Sequence, residues 1–97
     1  MNTNIKIKLS KNVLKRYEPN IDNGLFLLYN AKNKEFYESN PSFGMIINAI
    51  DGTFCIEEII NIVSKNNPQF SKQDIKTSLI ELFNDLYEKG FIVENDW

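Results

Sequence analysis

Thirteen carboxylates and eleven lysine or arginine side chains stand beside one cysteine and no histidine. Histidine is the most frequent general base and metal ligand, so its absence removes most acid–base and metal chemistry. Cys55 cannot form an internal disulfide, and without histidine it cannot build a zinc site. No base lies next to it in sequence to draw off its proton, so it reads as a small buried hydrophobe. Glu57 and Glu58 fall in the first turn of a predicted helix, where carboxylates complement the helix dipole. The chain carries no Gly-rich phosphate loop, no CxxC pair and no nucleophile–base spacing. An enzyme is therefore not expected, nor is a cofactor or a metal. The remaining chemistry is that of binding.

The best candidate for binding is a helix predicted from Ser71 to about Lys89. Ile75, Leu79, Leu82 and Leu86 form one row at core spacing. Lys76, Ile80, Phe83 and Tyr87 form a second row about 90–100° further round. Either both rows make one broad contact with a sheet, or the second row lines a groove with Lys72 and Lys76 at its entrance. A groove between an edge strand and an apolar helix row can hold an extended peptide. The strand gives backbone hydrogen bonds and the helix gives side-chain pockets.

The elements that must position this helix follow from hydrophobic period. Ninety-seven residues make one domain, 1–97, with one modest core. Before Asn40-Pro41 the period is two; after it, the period is helical. Ile5, Ile7 and Leu9 alternate with Lys6, Lys8 and Ser10, and Val13 to Tyr17 extend this as a second short piece. Residues 18–24 have turn chemistry. Leu25 to Tyr29 is a continuous apolar run, predicted as a buried central strand. A polar connection, Asn30 to Asn33, leads to a more polar strand, Lys34 to Ser39, suited to a sheet edge. Asn40 is the expected N-cap of the first helix and Pro41 its first residue, with Asp51-Gly52 as its stop. Thr53 is the expected cap of the second helix, with Ile56, Ile59, Ile60 and Val63 as its buried stripe. Ser71, with Asp74 three residues on, caps the third. Gly90 closes that helix, and Phe91-Ile92-Val93 is a short final strand. The expected fold is α+β: an N-terminal three-stranded antiparallel sheet, then a three-helix winged-helix-like bundle with a short terminal strand.

The net charge of −2 disfavours non-specific nucleic-acid binding. Lys6, Lys8, Lys11, Lys15 and Arg16 lie in the first sixteen residues with no acid among them, while Glu81, Asp85, Glu88, Glu94 and Asp96 crowd the other end. These are solvated faces, or a basic strand that attracts an acidic partner. No apolar run approaches the ~20 residues of a membrane span, and the first residues lack the apolar core of a secretory signal. A cytoplasmic protein with no membrane partner is expected.

The phrases Lys15-Arg16-Tyr17-Glu18, Gly24 to Asn30, Phe36 to Asn40 and Ile46 to Thr53 follow one another in order. Ile56-Glu57-Glu58-Ile59-Ile60 and Leu86 to Ile92 complete the series. Over about residues 13–93 this series resembles the PqqD-like family, also called the RiPP recognition element. The resemblance implies a stand-alone adaptor. It would bind the leader segment of a ribosomally made precursor peptide and present it to a modifying enzyme, often a radical SAM enzyme. The leader would add as a strand beside Lys34, Glu35, Phe36, Tyr37, Glu38 and Ser39. The third helix would contribute Lys72, Lys76, Ile80, Phe83 and Tyr87. The adaptor would be a monomer, or a homodimer through its open strand edge.

Two other readings compete. A winged-helix DNA-binding protein would use the third helix, but Asp74, Glu81, Asp85 and Glu88 along it would repel phosphates. A protein–protein subunit outside peptide maturation would hold a stable partner of protein size.

Overall fold

The computed structural model describes residues 2–19, 24–39 and 43–95, with the backbone alone for 43–45. The chain folds as α+β, with two three-stranded antiparallel sheets and three helices. The strands are β1 (Lys6–Leu9), β2 (Val13–Glu18), β3 (Leu25–Asn30), β4 (Glu35–Ser39), β5 (Asp51–Cys55) and β6 (Ile92–Glu94). The helices are α1 (Phe43–Ala49), α2 (Ile56–Asn66) and α3 (Lys72–Glu88).

The N-terminal strands do not share one sheet. β2, β3 and β4 form a meander with β3 in the middle, but β1 leaves it to become the centre of a second sheet, β5-β1-β6. There Ile7 is opposite Glu94, and Lys8 is opposite Val93 on one side and Asp51 on the other. The alternation of Ile7 with Lys6 and Lys8 suits this place: Ile7 is buried and both lysines are exposed. The basic run of the sequence is thereby split, with Lys6 and Lys8 in one sheet and Lys15 and Arg16 in the other.

Asp51 to Cys55, expected as a helix stop and a cap, is the strand β5. Gly52 takes φ +88° inside it, and Asp51 Oδ1 accepts from the Thr53 N–H at 2.8 Å. Thr53 thus sits in a strand and Cys55 occupies the N-cap of α2. Glu58 supplies the cap from the helix side, its Oε1 accepting from the Cys55 N–H at 3.0 Å. Cys55 is half-buried rather than part of the core. The start of α3 follows its sequence: Ser71 Oγ accepts from the Asp74 N–H at 3.1 Å. Asn40 and Pro41 lie outside the described residues.

The core joins both sheets to the helices. Ile7, Leu28, Ile47, Ile50, Ile56, Ile59, Ile60, Ile75, Leu79, Phe83, Leu86, Phe91 and Ile92 form one buried cluster. On α3, Phe83 is fully buried while Leu82 is only partly so. The core stripe is therefore Ile75, Leu79, Phe83 and Leu86, rotated toward the row expected to line a groove. The central strand β3 buries Leu28 and Asn30 toward the helices, and its other face is half open.

Candidate functional site

Among the described residues β4 pairs with β3 alone, leaving its other edge open. Its side chains alternate. Glu35, Tyr37 and Ser39 share the face of the buried Leu28, whereas Phe36 and Glu38 share the outer face with Tyr29 and Leu27. Glu35, Phe36 and Glu38 are exposed; Tyr37 and Ser39 are half-buried. Lys34, just before the strand, has φ +61° and closes the hairpin, its N–H donating to the Asn30 carbonyl at 2.7 Å.

Tyr37 connects the strand to α3. Its ring meets Phe91 edge-on at 6.0 Å between centroids, and Lys89 Nζ lies 5.7 Å from the ring centroid. Lys89 Nζ also pairs with Asp85 Oδ2 at 3.3 Å, one helical turn back. Burial pushes the Tyr37 hydroxyl up from its ordinary pKa, the Asp85 carboxylate adds to this, and Lys89 partly opposes it.

Two asparagines of the β3–β4 hairpin hold this arrangement. Asn30 Nδ2 donates to the Gly90 carbonyl at 2.9 Å, and Asn33 Nδ2 donates to the Lys89 carbonyl at 3.0 Å. Both target the carbonyls just past α3, which the helix itself leaves unpaired. Asn30 is the one buried polar residue of the described set. Its Oδ1 accepts from the Lys32 N–H at 2.9 Å, so the same amide also shapes the turn.

The side chains foreseen on the third helix lie elsewhere. Lys72 opens α3 with Nζ 4.0 Å from Glu57 Oε1 on α2, a helix length of about 25 Å from Lys89. At about 100° per residue, Lys76, Ile80 and Tyr87 lie ~140–180° round the helix from Asp85 and Lys89. Lys76 and Ile80 are half-buried, and Phe83 is in the core. Tyr87 lines a pocket of about 220 Å³ with Asn2, Ile5, Ile7, Ile56, Asn84 and Glu94, beside β1 and β6. The structure thus brings β4 together with Asp85 and Lys89, and sets the Lys76–Tyr87 row on the opposite flank. Asp85, Lys89, Asn30 and Asn33 were not singled out from the sequence. The one available signal was the Asp85–Lys89 spacing of four next to Gly90.

A second pocket, about 240 Å³, lies where α2 packs on α3, lined by Val63, Phe70, Asp74, Ile75, Ser78 and Leu79. Asp74 and Ser78 belong to the same flank of α3 as Asp85 and Lys89, within ~60° by helical angle. Among the described residues no three His, Cys, Asp or Glu side chains cluster to hold a metal ion, and no helix is long and apolar enough to cross a membrane.

No protein-family model, curated protein or solved structure matches the chain.

Proposed function

We propose that this protein binds the leader segment of a ribosomally made precursor peptide and presents it to a modifying enzyme in the cytoplasm, without catalysis of its own. The reading joins the sequence's resemblance to the RiPP recognition element with one observation: among the described residues β4 has β3 as its only strand neighbour, and Lys89, just past α3, lies over the ring of its Tyr37. An extended peptide would extend the meander by one strand, taking its affinity from the backbone groups of residues 35–39. Lys89 and Asp85, not the Lys76–Tyr87 row, would form the helical wall next to that strand. The pocket at Val63, Phe70 and Ser78, on the same flank, would take an apolar leader side chain.

On this reading the helices, with β5 and β6, form a winged-helix-like unit and the β2-β3-β4 meander is the addition that binds peptide. Use of that unit on DNA is disfavoured by the net charge of −2 and the carboxylates along α3.

The test is affinity capture of the tagged protein from its own cells, with mass spectrometry of what elutes. The expected companion is a short unmodified peptide. Its synthetic copy should slow amide exchange in residues 35–39, with an affinity that changes little with salt. Nucleic acid in the eluate with steep salt dependence, or a peptide that leaves β4 exchange unchanged, would overturn the reading.

A further inference from the structure

The flank of α3 away from β4 carries a pocket that leader binding does not use. It measures about 220 Å³ and opens where β1, β6 and α3 meet. That is below the ~300–1,000 Å³ of sites for drug-sized ligands, so it suits a single side chain. The floor is apolar: Ile7 and Ile56 are buried and Ile5 is half-buried. The rim is polar and exposed: Asn84 and Tyr87 come from α3, and Glu94 comes from β6. Glu94 is opposite Ile7 in the β1–β6 ladder, which puts its side chain on the same face of the sheet as the pocket floor.

The charge around this rim has one sign. The ion pairs among the described residues engage Glu18, Glu57 and Asp85, and leave Glu94 without a cation. Glu81 and Glu88 are also exposed and outside those pairs, and they stand within ~60° of Asn84 round the helix. Among the described residues no lysine or arginine lines the pocket. Lys6 and Lys8 neighbour Ile7 in β1 but project from the opposite face of the sheet. Lys76, on this flank of α3, is about 12 Å from Asn84 along the axis. An occupant with an aliphatic stem and a positive end answers both features. The stem lies along the isoleucines, and the charge meets Glu94 beside the Tyr87 ring. Tyr87 is 50% exposed and continues the patch beyond the pocket, with half-buried Ile80 two turns back. An exposed aromatic next to a side-chain-sized pocket is the composition of a protein interface.

We infer that a partner protein docks on this flank and seats a lysine or arginine side chain in the pocket, with its charge at Glu94. The site lies across α3 from β4 and leaves that edge free for a leader strand. The inference does not depend on the leader-binding reading.

Amide chemical shifts of the full chain test the pocket with two probes. One is Nα-acetyl-lysine amide; the other is Nα-acetyl-norleucine amide, which has the same stem without the ammonium. The lysine probe should shift the amides of residues 5, 7, 56, 84, 87 and 94 at about millimolar concentration. At low salt it should bind about threefold tighter than the norleucine probe. Glu94→Gln should erase that preference, and Asn84→Asp, which adds a carboxylate to the rim, should raise it. Both positions are exposed, and the spectrum of each variant shows whether it is folded. Equal binding of the two probes, shifts centred elsewhere, or a preference that neither variant changes would overturn the inference. The partner is tested by photo-crosslinking in the protein's own cells, with p-benzoylphenylalanine in place of Asn84. The crosslinked partner segment should hold a lysine or arginine whose replacement by methionine lowers the yield. Lysine-probe binding with no protein crosslinked, or a crosslink indifferent to that replacement, would make the pocket a site for a free amine and overturn docking.

Discussion

Replacing Asn30 with alanine should destabilise the protein and release the end of α3 from the meander. The buried carboxamide makes two hydrogen bonds of 2.9 Å, one to the Gly90 carbonyl and one from the Lys32 N–H. Each is worth about 0.5–1.5 kcal/mol net, and a carbonyl left without a partner adds about 1–3 kcal/mol where water cannot reach it. Gly90 is only half-buried, so its carbonyl sits at the low end of that range, and the expected loss is about 2–4 kcal/mol, against a total of about 5–15 kcal/mol for a domain of ordinary stability. The variant should thus stay folded at 25 °C and unfold at lower urea with an unchanged slope. Gly90 supplies the control. It holds φ +78°, and a Cβ there would sit 3.0 Å from Asn30 Nδ2. Gly90→Ala should cost about 1–2 kcal/mol for the left-handed backbone alone, and more while Asn30 stands in the way. Part of that excess should vanish when Asn30 is already alanine, giving a coupling above about 0.5 kcal/mol in the double-mutant cycle. An Asn30→Ala variant within about 0.5 kcal/mol of the parent, or costs that simply add, would refute the latch.

Phe83→Ala should cost about 3–5 kcal/mol in urea unfolding, because the ring is fully buried. Half-buried Ile80 should lose clearly less on the same change, and equal losses would contradict the placement of the two. The acid limb of stability should depend on Glu58, whose carboxyl is held below the usual range first by the Cys55 N–H and then by the Cys55 side chain. With the folded value lowered, its contribution is complete above the ordinary glutamate range and lost as pH falls through the folded value. Glu58→Gln should therefore unfold earlier than the parent at pH 7, and this gap should close toward pH 3 in a series of urea titrations.

The helices were largely legible because each carries its own signal. Ser71 with Asp74 marks the start of α3, Gly90 marks its end, and the isoleucines of α2 recur on one face. The sheets were less so, because pairing is a property of two segments. Ile5 to Leu9 alternates as any strand does, and nothing within it says that its partners are residues 51–55 and 92–94 and not its neighbour β2. β5 was hidden by its residues: Asp51, Gly52 and Thr53 are turn and cap formers, and only the pairing with β1 draws them into a strand. On α3, an apolar arc wide enough for two rows left its rotation open. Phe83 fills the core, and the flank toward β4 carries Asp85 and Lys89, polar residues that a search for apolar pockets passes over.

The place of β1 has a consequence for the order in which the protein can assemble. The meander β2-β3-β4 joins strands that are near neighbours along the chain, so each hairpin can close as soon as it exists. β1 precedes the meander in the chain, yet finds one partner only after α1 and the other only after α3. Until then both of its edges and the apolar face of Ile7 wait unpaired. Closure of the β5-β1-β6 sheet, over long sequence separations, is therefore the slowest step in assembling this fold. During that interval β1 is the segment most exposed to capture by other chains.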